Sequence, residues 1–206
     1  MRTLIIATSL SFFMATSVDA DVVYTNFGAG ESFSNAGRGV GAFDPPLINA
    51  MPFTVPHDML LDEIRVAVAH VSEFPPNVLN VAVYNSDIDG DPDSPLETMT
   101  IIGAPSPPPF YGVLSAVSSL HPRLAAGNNY WMVLSSEGQF LWALSTLGQT
   151  GFKYSIDGGV TWKDRNTTNI LDRRSVFSVS GRTVPEPTTL ALLAFAGLLA
   201  VAGRHR

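Results

Sequence analysis

Prolines and glycines cut this chain into pieces too short for a helical domain. Between Asp21 and Arg182 the apolar residues fall in brief β-branched and aromatic runs separated by Gly, Pro, Asn and Asp. Asp44-Pro45-Pro46, Phe74-Pro75-Pro76, Pro105 to Pro109 and Gly127-Asn128-Asn129 cannot continue a hydrogen-bonded ladder and read as loops or crossovers. The runs between them predict strands at 22–25, 51–55, 60–71, 78–84, 98–102, 129–135, 140–145, 151–156 and 175–180, with no convincing helix. In the third run Ile64, Val66 and Val68 alternate with Arg65 and Ala67, the mark of a strand with one buried face. The 129–135 run is different, because Trp131 and Val133 between Tyr130, Met132 and Leu134 are apolar too. That strand is expected to be buried on both faces and to sit at the centre of the core. The fold class expected is all-β, an antiparallel, jelly-roll-like β-sandwich, and no solenoid or propeller period competes with it.

The two ends break this pattern. Arg2, the apolar stretch from Leu4 to Met14 and the small residues Val18 and Ala20 have the order of a signal peptide, with cleavage expected between Ala20 and Asp21 by a signal peptidase. At the other end Val184-Pro185-Glu186-Pro187 precedes an uncharged stretch, Thr188 to Gly203, and then Arg204-His205-Arg206. That stretch is a little shorter than the ~20 residues a spanning helix needs, yet it is rich in Leu and Ala and suits a thin bilayer. Pro185 and Pro187 keep the segment before it extended, and Arg204 and Arg206 hold the extreme end in the cytoplasm. The chain therefore divides into a signal peptide at 1–20 forming an N-terminal signal helix, an ectodomain at 21–182, and a tail at 183–206 with a transmembrane helix about 188–203.

Pro185, Glu186 and Pro187, followed by an apolar stretch and a short basic end and paired with a signal peptide, resemble the PEP-CTERM sorting signal of Gram-negative bacteria. The resemblance implies recognition by an exosortase, a membrane-embedded cysteine transpeptidase or protease that cuts near the Pro-Glu-Pro motif. It covers about the last 22 residues. Any such cysteine belongs to the partner enzyme, since this chain has none and so has neither disulfides nor thiolate chemistry. From Asp21 to Val184 nine Lys and Arg stand against sixteen Asp and Glu, a formal net charge of −7 that disfavours nucleic acid and anionic lipid as partners.

The ectodomain carries a second resemblance. Tyr24-Thr25-Asn26-Phe27-Gly28, Val81-Ala82-Val83-Tyr84 with its following Asp/Gly/Pro turn and Leu96, then Tyr130 to Leu134 and Trp142, resemble the choice-of-anchor R type of extracellular domain. That likeness implies a β fold at the cell surface and no particular ligand.

Four carboxylates, Asp87, Asp89, Asp91 and Asp93, fall in seven residues around Gly90, an arrangement that gathers oxygen ligands for Ca²⁺. Pro92, Pro95 and the early Glu97 break the spacing of an EF-hand loop, and a polar turn between two strands is the competing reading. Ser155-Ile156-Asp157-Gly158-Gly159-Val160-Thr161-Trp162 matches the Asp-box pattern, in which the Asp carboxylate bonds turn N–H groups, Gly supplies positive φ and Trp covers the hairpin. It predicts a folding element. No Gly-x-Ser-x-Gly elbow or His-Glu-x-x-His pair occurs, and His57, His70 and His121 stand far apart as exposed or strand-end residues. Gly37-Arg38-Gly39-Val40-Gly41 lacks the Lys-Ser/Thr end of a phosphate loop. Trp131, Trp142, Trp162, Tyr111 and Tyr154 are candidates for a sugar-stacking platform. Asn166-Thr167-Thr168 matches a glycosylation sequon.

The function expected is that of an exported cell-surface or extracellular-matrix protein of the envelope, associated with exopolysaccharide or biofilm. It has no catalytic residues or cofactor of its own, and its partners are signal peptidase, exosortase and the inner membrane. The alternative is a carbohydrate-binding, lectin-like module assisted by Ca²⁺.

Overall fold

The computed structural model describes residues 20–71, 76–106, 110–165 and 173–184. The signal peptide expected at 1–20, up to residue 19, the tail from residue 185, the sequon and the Phe74-Pro75 and 107–109 prolines lie outside these.

Among the described residues thirteen strands build two antiparallel sheets. In chain order they are β1 (Asp21–Thr25), β2 (Ser34–Gly41), β3 (Ile48–Thr54), β4 (Met59–His70), β5 (Val78–Ser86), β6 (Pro92–Ile102) and β7 (Gly112–Val117). Then follow β8 (Arg123–Leu124), β9 (Asn129–Ser135), β10 (Gln139–Leu144), β11 (Phe152–Ser155), β12 (Lys163–Arg165) and β13 (Phe177–Thr183). The first sheet runs β1-β13-β4-β10-β2, with β7 and β8 also paired to β4, and the second runs β12-β11-β3-β9-β5-β6. Strand β4 is long enough to serve four neighbours. β13 covers one of its edges up to Val66, β10 takes over that edge from Val68, and β7 and β8 lie along the other.

The alternation expected in β4 holds. Ile64, Val66 and Val68 point between the sheets, where they meet Val81, Val83, Met132, Leu134, Trp142 and Phe177 in one buried cluster. Ala67 points outward, where Phe33, Tyr111 and Val113 pack over it together with Phe27, Ala143 and Val176. Strand β9 is central in its sheet and buried on both sides: Tyr130, Met132 and Leu134 enter the core, while Trp131 and Val133 join Ala50 and Ala82 on the outer face under Tyr84 and Trp162. The second apolar layer explains why this strand lacks polar alternation.

Several strands escape the sequence reading. β2 is a strand, although its Gly37-Arg38-Gly39 run has the composition of a loop. A Cβ at Gly37 would stand 2.2 Å from the Tyr111 hydroxyl, and one at Gly39 would stand 3.0 Å from the Phe43 ring. The glycines are there to admit two aromatic rings against the sheet. β6 begins at Pro92 rather than Thr98, and its prolines are tolerated because it is the edge of its sheet. Proline is also found in β3, where Pro52 pairs with Trp131 of β9 beyond the point at which β11 stops pairing. His70 is one of the strand-end residues expected: it ends β4 and is buried there, its ring 5.0 Å from that of Phe140.

Two buried polar groups tie the halves together. Asn26, fully buried just after β1, donates from Nδ2 to the Ser175 carbonyl (2.9 Å) and accepts at Oδ1 from the Phe177 N–H (2.7 Å). Its own N–H also donates to the Phe177 carbonyl (3.1 Å), so backbone and side chain together carry the ladder past the end of β1. Glu97 of β6 reaches across to the segment after β7, accepting from Ser118 Oγ (2.5 Å), the Ser119 N–H (2.7 Å) and the Leu120 N–H (3.0 Å).

Candidate functional site

The β5–β6 turn and the β11–β12 hairpin are far apart in sequence but meet over the outer face of the second sheet. Between them lies a groove of about 400 Å³ lined by Asp87, Asp91, Pro92, Asp93, Val160, Thr161 and Trp162.

The turn is held from within. Asp87 Oδ1 accepts from the backbone N–H of Asp89 (2.9 Å) and of Asp91 (2.7 Å), and Gly90 supplies a φ of +81° that other side chains rarely adopt. The hairpin is held in a similar way. Asp157 Oδ1 accepts from the Thr161 N–H (3.0 Å) and Ser155 Oγ (2.7 Å), and Oδ2 accepts from Thr161 Oγ1 (2.6 Å). These bonds, led by the Thr161 hydroxyl, hold the Asp157 carboxyl well below the usual carboxylate range. Gly158 and Gly159 take φ values of +78° and +92°. The Asp-box is therefore a hairpin clasp, as its residue pattern predicts.

Lys153 joins the two pieces. Its ammonium pairs with Asp91 on the turn and with Asp164 on β12, 3.0 Å away, and its side chain is only 12% exposed. Burial would lower its pKa, but the hydrogen bonds to Asp91 and Asp164 outweigh that and leave it raised. Nothing in the local sequence marks Lys153, because both partners come from other elements. The outer limits of the groove are apolar tips: Ile88 is fully exposed and Val160 is 80% exposed.

Of the four candidate calcium ligands, Asp87, Asp91 and Asp93 line the groove and Asp89 does not, and the three are engaged separately. Asp87 is committed to turn N–H groups, Asp91 to Lys153, and Asp93 accepts from Ser94 Oγ at 3.1 Å. Among the described residues no group of three or more His, Asp or Glu side chains is placed to hold a metal ion. The five aromatic candidates are dispersed as well. Trp142 is in the core, Trp131 is buried on the outer face, and Tyr111 and Tyr154 pack against separate clusters. Trp162 alone of the five lines the groove, backed by the apolar layer over β9. Neither His57 nor His121 lines it, and His121 is bonded to the Leu61 carbonyl and to Asp62 beside the first sheet.

The segments expected to be processed adjoin the domain through β1 and β13. Ala20 is exposed directly before β1, whose first residue, Asp21, pairs with Gly181 of β13. Pro185, Glu186, Pro187, Arg204 and Arg206 lie outside the described residues, and among those described no helix is long and apolar enough to cross a membrane. Strand β13 continues through Thr183, and the Val184 N–H donates to the Asp58 carbonyl (2.9 Å), so the folded part runs past the boundary expected at 182.

Residues 183–206 match the PEP-CTERM protein-sorting motif. No curated protein matches the chain. The PEP-CTERM motif is a signal that an exosortase recognises, and it implies an exported protein, processed by that enzyme and delivered to the cell envelope or surface. The motif begins on the last residue of β13, so sorting signal and sandwich share one strand end.

Proposed function

We propose that the sandwich is a non-enzymatic surface or matrix domain, related to the choice-of-anchor R type. On this reading it is exported by its signal peptide, held in the inner membrane by residues 188–203, and freed for display or for extracellular polymer when an exosortase cuts near Pro185-Glu186-Pro187. The observation that carries the reading is the PEP-CTERM match at residues 183–206. The direct check is intact mass and cell fractionation of the wild type and of Glu186→Ala in an exosortase-bearing host. Wild type lacking both ends and found in the outer layers or medium, with Glu186→Ala retaining its tail in the inner membrane, is the expected outcome. Retention of residues to Arg206 in both would make the tail a plain anchor.

A second reading rests on the groove. A Trp ring beside exposed carboxylates suits a sugar, whose flat face stacks on the ring and whose hydroxyls donate to Asp87 and Asp93. Metal is not required, because Lys153 already balances Asp91. On a glycan array Trp162→Ala should lose about tenfold in affinity for any polysaccharide the wild type retains. A chelator should change nothing, and loss of binding with chelator would bring calcium back to the groove.

A further inference from the structure

The sorting signal is joined to the sandwich without a spacer. Thr183 is still paired with Met59 of β4, and the Val184 N–H is still bonded to the Asp58 carbonyl. Pro185 is the next residue and the uncharged stretch begins at Thr188. Even fully extended, the four steps from Val184 to Thr188 cover only about 14 Å. A headgroup layer takes up roughly 6 Å of that. An enzyme that cuts a chain normally holds it extended on both sides of the cut, using the backbone groups of several residues. Upstream of Pro185 those groups belong to β13.

The last residues of β13 are held differently from the rest. From Ser178 to Gly181 the strand lies between β1 and β4, paired on both edges. β1 pairs no further than Asp21 opposite Gly181, so Arg182 and Thr183 pair with β4 alone. Arg182 compensates with its side chain: Nε lies 3.1 Å from both carboxylate oxygens of Asp62, and a terminal nitrogen lies 2.9 Å from Oδ1. A strand end paired on one edge is the part of a sheet that opens at least cost. Opening it exposes three residues of extended chain immediately before Pro185 while the doubly paired part keeps the sandwich closed.

We propose that exosortase processing is gated by this strand end, with Arg182, Thr183 and Val184 forming a latch that must leave β4 before Pro185-Glu186-Pro187 can enter the enzyme. The inference rests on the processing reading above. It also places the cut beyond Val184 in a product that keeps its whole fold. The closeness of Asp21 to Gly181 puts the N-terminal cut at the same end, so the precursor meets the membrane with one end of the sandwich.

Pulse-chase labelling with intact mass in an exosortase-bearing host tests the latch. Inserting eight Gly and Ser residues between Val184 and Pro185 leaves every strand residue in place and should speed tail loss about threefold, as should Arg182→Ala, while Arg182→Lys stays near the wild-type rate. Wild-type rates in both the insertion and Arg182→Ala would overturn the gate while leaving processing itself established. A wild type that keeps its tail would overturn the processing reading and the gate with it. A product ending before Val184 would also overturn the latch.

Discussion

Replacing Trp142 with alanine should lower the unfolding free energy by about 4 kcal/mol, the largest effect of any single truncation in this domain. Trp142 is fully buried on β10, in the cluster that joins the two sheets, with its ring centroid 6.3 Å from that of Phe177. Strand β10 takes over the edge of β4 where β13 ends, and the indole fills the space at that handover. Its Nε1–H donates to the Val176 carbonyl (2.8 Å), which would otherwise be a buried acceptor with one partner fewer. Trp142→Phe separates the two contributions: it keeps most of the apolar volume and should cost about 1–2 kcal/mol, chiefly through the lost hydrogen bond. Urea titrations of the purified protein decide it, with the midpoint falling in the order wild type, Phe, Ala at constant slope. A change of less than 1 kcal/mol in the alanine variant would mean that the β10 handover does not stabilise the sandwich.

Glu97→Ala should cost about 3 kcal/mol at neutral pH. Glu97 is 4% exposed, yet its carboxylate keeps its charge because the donors around it are arranged for an anion. Burial alone would raise its pKa. Hydrogen bonds from the Ser118 hydroxyl, the Ser119 and Leu120 N–H groups and the Ser119 hydroxyl outweigh burial and hold it below the ordinary value of 4.5. A depressed carboxylate contributes stability that is fully present above the unfolded-state pKa and is lost as pH falls through the folded-state value. Wild type should therefore lose stability below pH 4.5, while the alanine variant, already without this term, should show a shallower loss over the same range. Because Glu97 lies on the edge strand of one sheet and its donors follow β7 of the other, its removal should also loosen the two sheets along that edge. Amide hydrogen exchange at Ser119 and Leu120 would report this, and parallel acid-denaturation curves for the two proteins would refute the assignment.

Local chemistry made much of this molecule legible from its residues. The alternation of Ile64, Val66 and Val68, the unbroken apolar run of β9 and the Asp-box turn each depend on neighbours in sequence, so their periodicity or spacing is enough to read them. The tail is legible for the same reason, since three features in fixed order meet an enzyme as a linear segment. Strand β2 was not legible, because its glycines are explained by the rings of Tyr111 and Phe43, which reach it from elsewhere in the chain. Nor was the groove: the Asp87 turn and the Trp162 hairpin are far apart in sequence, and the sheet order and the Lys153–Asp91 pair bring them side by side. Residue order alone was enough for the β class, the doubly buried strand and the C-terminal sorting signal, all of which follow from periodicity or linear order. Long-range packing set which strands pair, where the acidic turn lands, and that the sorting signal starts on the last residue of a paired strand. Those outcomes depend on which distant surfaces bury each other, and no local pattern records that choice.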